Sequence, residues 1–158
     1  MTRSRLTLAF VTSVIALAAC AEDSVDPAVR GQREAAYRQA CVARVLADRA
    51  ESDLETMNAA LQSDDEFTRM AASAAVAFNG AYLRHAEIRL SAYAHLDSAV
   101  NHARTPADSM AYSERALSFS IVPPAEGSLE ANVITNYDGN LRALLFDPNH
   151  PCNWDFPF

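Results

Sequence analysis

Between Pro27 and Pro106 the chain contains no proline, and its only glycines there are Gly31 and Gly80. Proline removes a backbone donor and clashes with the preceding turn. Its absence over so long a stretch makes helix the default wherever apolar residues recur at steps of three and four. They do so first at Tyr37, Cys41 and Val45, and alongside at Val42, Leu46, Ala50, Leu54, Met57 and Leu61. Asp26-Pro27 supplies a cap followed by a first-turn proline. A helix is therefore predicted from Pro27 to about Gln62. Arg44/Asp48 and Arg49/Asp53 stand at i,i+4 on its wet side, where each pair adds about 0.2–0.5 kcal/mol.

Ser63-Asp64-Asp65-Glu66 has the S-x-x-E form of a capping box. It opens a second apolar run, so a second helix is expected from about Asp64 to Ala103. The face assigned inward is Phe67, Ala71, Ala74, Phe78, Ala81, His85, Ile88, Ala92, Leu96 and Ala99. Asn79-Gly80 near the middle marks a kink, a close crossing or a break. Two long helices joined by a short connection form an antiparallel hairpin.

Thr105-Pro106-Ala107-Asp108 repeats the start signal, for a shorter helix to about Ser118 carrying Met110, Ala111, Leu117 and Phe119 inward. Val122-Pro123-Pro124 stops it. From Ser128 to Leu145 the spacing of Leu129, Val133, Tyr137, Leu141 and Leu144 favours a fourth helix; Asp138-Gly139 supports the alternative of a hairpin turn. The closing stretch FDPNHPCNWDFPF, with its three prolines, is irregular and expected to fold back over the hairpin. The class is all-α: a long antiparallel helical hairpin plus one or two shorter helices, a small helical bundle with an irregular aromatic C-terminal tail.

The first twenty residues carry a different signal. Arg3 and Arg5 precede an uncharged, mostly apolar run from Leu6 to Ala19. Such a segment reads as a secretory leader, and it falls short of the roughly 20 apolar residues of a membrane span. It ends Leu17-Ala18-Ala19-Cys20, an aliphatic residue, two small ones and a cysteine. In this it resembles the bacterial lipoprotein precursors, through their lipobox; the resemblance covers residues 1–20 only. It implies a diacylglyceryl group on the Cys20 sulfur, cleavage before Cys20 and a third acyl chain on the new amine. Two or more chains anchor stably where one does not. In bacteria with two membranes the resemblance implies that the residue after the cysteine steers sorting; Ala21 is not the aspartate associated with inner-membrane retention, which there favours the outer membrane, facing the periplasm. The expected organisation is a signal peptide at 1–19, a lipidated tether at 20–26 and one helical domain at 27–158.

Cleavage would remove two arginines and change the formal charge from −7 to −9, with 11 arginines against 20 acids and no lysine. Nucleic acid, which requires basic patches, is disfavoured as a partner. So is an anionic lipid surface, leaving the acyl chains to hold the protein. With Cys20 on lipid, Cys41 and Cys152 remain as an even pair, expected to form a disulfide in an oxidising compartment.

Convergent chemistry is hard to find in the sequence. His95 and His102 share a helix face, but Glu87 stands two residues after His85, on the wrong side of the helix to share a ligand. No C-x-x-C-H, G-x-S-x-G or glycine-rich phosphate loop occurs, so no cofactor, metal or enzyme activity is expected. The leading expectation is a membrane-tethered, non-catalytic domain working with a protein partner. The alternative is a small-ligand module with an apolar groove formed by Phe78, Tyr82, Tyr93 and Trp154. A remoter one is an adaptor of the tetratricopeptide kind: Gly80, Ala92, Leu96, Ala99 and Pro106 loosely resemble that repeat's spacing, although Val76 and Asn79 replace its characteristic residues.

Overall fold

The computed structural model describes residues 25–117 and 124–153, without the side chains of 115–117. The leader with Cys20, the sidedness of Leu117 and Phe119, the Val122-Pro123 stop, and Trp154 and Phe156 lie outside what it describes. The elements are α1 (Pro27–Ala60), α2 (Glu66–Asn101), α3 (Pro106–Leu117), α4 (Leu129–Phe146) and a single 3-10 turn (Pro151–Asn153).

Each helix begins where a side chain can accept an orphan backbone N–H. Asp26 Oδ1 accepts from Ala28 N at 2.8 Å, ahead of Pro27. Thr105 Oγ1 accepts from Asp108 N, and Asp108 Oδ2 accepts in return from Thr105 N, both at 3.2 Å. Ser128 Oγ accepts from Ala131 N at 3.1 Å. At α2 the capping differs from the box expected on Ser63. Asp65 is the cap, accepting from Thr68 N at 2.7 Å, while Ser63 Oγ accepts the Asp65 N–H itself at 3.2 Å. A carboxylate at the positive end of a helix gains from the macrodipole as well as from the hydrogen bond, so Asp65 outcompetes the serine two residues before it.

α1 and α2 form the antiparallel hairpin, and most of the tertiary contact lies between them. The register follows from the core. Ala36 of α1 packs with Leu96 and Val100 of α2, whereas Leu46 and Ala50 pack with Tyr82 and Ala86. Numbers rise on one helix as they fall on the other. Arg33 Nη2 donates to the carbonyl of Ala103 at 2.8 Å, tying the far end of α2 to the start of α1. Gly80 causes no break: α2 runs through it unbroken, and a Cβ built there would meet only the Arg84 guanidinium at 3.9 Å.

The inward face of α2 is offset from the one expected. Ala92 and Leu96 are buried as read, and Phe78, Ala81, His85 and Ala99 are half-buried. Phe67, Ala71, Ala74 and Ile88 are exposed. The buried set is Ala72, Tyr82, Ala86, Ala92, Leu96 and Val100, which apart from Ala92 and Leu96 lies one position round the helix from the expected face. The physical reason is composition. α2 is alanine-rich on several sides, so its pattern does not select one face, and the placement of α1 and α4 decides. On α3, likewise, Met110 and Ala111 are exposed, and among its described side chains Ser109 is the fully buried one; a small side chain lets the helix lie close against its neighbours.

α4 packs across the hairpin. Gly127, at φ 74°, occupies the left-handed region in the turn closed by Ser128 N to the Ala125 carbonyl at 3.1 Å. The helix then runs straight through Asp138-Gly139. Val133, Tyr137 and Leu141 are buried on one side, and Gly139 is exposed on the other. The helical spacing therefore prevails over the turn dipeptide. After α4, Asn153 Nδ2 donates to the carbonyls of Asp147 and Leu144, at 2.6 and 3.3 Å, capping the helix from beyond its end. That cap fixes the 3-10 turn and sets Cys152 over α1, where it forms a disulfide with Cys41 across a Cα–Cα distance of 5.7 Å.

Ion pairing is sparse among the described residues. Glu34 pairs with Arg38 and Arg89 with Asp138; Arg44/Asp48 and Arg49/Asp53 do not close. No described helix is long and apolar enough to cross a membrane.

Candidate functional site

The four residues expected to form an apolar groove are only partly brought together. Phe78 and Tyr82 are neighbours, with ring centroids 6.2 Å apart. They border a cleft of about 100 Å³ shared with Leu46, Arg49, Asp53, Asn136 and Asn140. Asn140 Nδ2 donates to the Tyr82 hydroxyl at 3.1 Å and partly closes it. Tyr93 lies three turns farther along α2, packed against the core rather than lining the cleft. Trp154 is outside the described residues.

A polar cluster sits where α2 meets α4. The His85 ring stands edge-on to Tyr137 at 4.9 Å. Arg89 Nε donates to His85 Nε2 at 3.4 Å, and its guanidinium reaches Asp138 at 3.9 Å. Burial, helped by Arg89, holds the His85 imidazole below its ordinary pKa. Burial pushes the Tyr137 phenol far above its ordinary value. Its hydroxyl is buried with no hydrogen-bond partner among the described residues. Among the described residues, no serine, cysteine or carboxylate is hydrogen-bonded to His85. His85 also faces an open hollow of about 310 Å³, together with Arg84, Ile88, Pro124, Glu130 and Ile134.

At the opposite end, α1, α2 and α3 enclose a shallower hollow of about 300 Å³ around Ala36, Leu96, Val100 and Met110. Gln32 Oε1 is buried there without a partner among the described residues. No group of three or more histidine, cysteine, aspartate or glutamate side chains among the described residues is placed to hold a metal ion.

The remaining candidate is the end of the hairpin itself. The main core reaches no higher than Ala50 on α1 and Phe78 on α2. Beyond it, between Leu54 and Ala77, only Ala72 is fully buried. Two helices thus project as an arm past the body. On α2, Phe67 is 73% exposed and Met70 65% exposed; Ala71 and Ala74, also exposed, complete an i, i+3, i+4, i+7 stripe. Acids crowd the same end. Glu51, Asp53, Glu55, Asp64, Asp65 and Glu66 are all exposed. The one basic residue from 51 to 70 is Arg69, whose Nη1 donates to the carbonyls of Ser63 and Asp64 at 2.8 and 3.1 Å. Hydrogen bonds from Thr68 hold the Asp65 carboxyl below its ordinary pKa. Phe67, Ala71 and Ala74 of this stripe belong to the face expected inward, whereas Met70 does not; apolar spacing carries no information on how far α4 extends along the hairpin.

Comparison with known proteins returns no matching family model, no matching curated protein and no matching solved structure.

Proposed function

We propose that the protein is a lipid-anchored component of a bacterial cell envelope, acting through protein contact as an adaptor or accessory subunit. Where the cell has two membranes, the outer membrane's periplasmic face is the favoured address. The observation that carries this reading is the projecting arm with uncovered apolar side chains at its end. α1 begins at Pro27, a few residues after Cys20, and is 34 residues long. At about 1.5 Å per residue it sets the arm's end roughly 50 Å from the tether. Lipid at one end and an apolar stripe at the other suit a protein that is held in one place and touches something at another.

Graded-length crosslinking in intact envelopes tests the reading, with Cys20→Ser beside the wild type. The expected result is that Cys20→Ser appears in soluble fractions and loses its protein adducts. Continued membrane association would mean a different anchor, and recovery of the protein alone at every crosslinker length would refute the adaptor role.

The hollow beside His85 favours a second reading, a small-ligand module, with Arg84 and Glu130 as its polar contacts. Filling it by Ile134→Trp would abolish any ligand-induced rise in melting temperature. The helix lengths weigh against a tetratricopeptide-like adaptor, whose two helices share about 34 residues per repeat.

A further inference from the structure

We infer that the arm's stripe is a docking surface for an amphipathic helix of another protein, apolar on one side and rich in lysine and arginine beside it. The inference rests on the adaptor reading and names the surface and the partner's chemistry.

Three features lead there. Phe67 and Met70 present large side chains that the described body leaves uncovered. Ala71 and Ala74 beside them are small and exposed, so a second helix could approach at the 8–10 Å typical of packed helices. Anchors at i, i+3, i+4 and i+7 are those by which one helix receives another. The six acids at the same end decide the partner's charge. They would attract a basic rim and steer its approach. A second copy of the chain would set the same acids against each other. Anionic headgroups would be repelled for the same reason.

The test places a photoreactive amino acid singly at Phe67, Met70, Ile88 and Met110 in the full-length lipidated protein. Crosslinking is done in intact cells, and the adducts are mapped by mass spectrometry to the partner segment. Expected are adducts from positions 67 and 70 on one segment with apolar residues at helical spacing and net positive charge. Adducts there on another copy of this chain, on lipid, or on an acidic segment would overturn the proposal. Adducts confined to positions 88 and 110 would overturn it while leaving the adaptor reading intact; adducts at none of the four would remove both.

A synthetic basic amphipathic peptide, and its charge-reversed twin with the same apolar face, supply the quantitative arm with purified protein. Phe67→Ser with Met70→Ser should weaken the basic peptide at least tenfold. Ile88→Ser with Phe146→Ser, exposed elsewhere, should leave it within twofold. Circular dichroism checks that both variants stay folded. Equal binding of the two peptides, or equal loss in both variants, would refute the surface.

Discussion

Among the described residues the disulfide is the one cross-link between the hairpin and the segment after α4, so removing it gives a sharp prediction. Cys41 and Cys152 are 111 residues apart. Closing a loop of that length in the unfolded chain is worth about 4.8 kcal/mol in the chain-entropy model. Unfolding entropy of about 2.1 cal/mol/K per residue, over about 130 residues, gives roughly 0.27 kcal/mol/K. Dividing one by the other, loss of the bond should lower the melting temperature by about 15–20 °C. The assay is thermal melting by circular dichroism of Cys41→Ala/Cys152→Ala, beside the wild type with and without reductant. Reduction alone breaks the bond without changing side chains, so the two should agree. Amide exchange adds a local readout: α4 should lose more protection than the α1–α2 hairpin, since the bridge pins the turn that follows α4. A shift below about 5 °C in both forms would refute the reasoning and mean that the reduced chain keeps its ends together.

Other expectations follow from single groups. Tyr137→Phe removes a buried hydroxyl that has no partner among the described residues, and should raise stability in denaturant by about 1 kcal/mol; a clear loss would reveal a partner for the hydroxyl. The depressed pKa of His85 means that the unfolded state binds its proton more readily. Its contribution is intact above about pH 6.5 and is lost as pH falls. Melting temperature should therefore drop from pH 7 to pH 5, and His85→Gln should flatten that decline; parallel profiles would exclude His85 as a source. At the start of α2, Asp65→Ala should lower the melting temperature more than Ser63→Ala, and the reverse order would restore the serine cap.

The helix starts were legible because they are local chemistry. Asp26-Pro27, Thr105 with Asp108, and Ser128 all act within three residues of themselves. Where two caps competed, at Ser63 and Asp65, the motif did not rank them and the charge did. The cysteine pair was legible by counting. The buried side of α2 was not, because alanine on several faces gives no preference, and the choice falls to helices distant in the chain. Ser109 was missed for a related reason: a small polar residue is unremarkable in sequence and becomes buried only when a helix must lie close. The arm was invisible because amphipathic spacing predicts a covered face without saying whether the cover belongs to the same molecule.

The position of the disulfide also orders events in time. In a chain that emerges N-terminus first, Cys41 waits through 111 residues before Cys152 follows. α1 and α2 are adjacent in sequence and can pair long before that. During the interval Cys41 lacks that partner, and Cys20, only 21 residues away, is an earlier competitor. The short loop makes that wrong pairing the faster one. Under the proposed anchor, the diacylglyceryl group on the Cys20 sulfur would act as a protecting group. It would keep the early thiol out of exchange until the correct partner arrives.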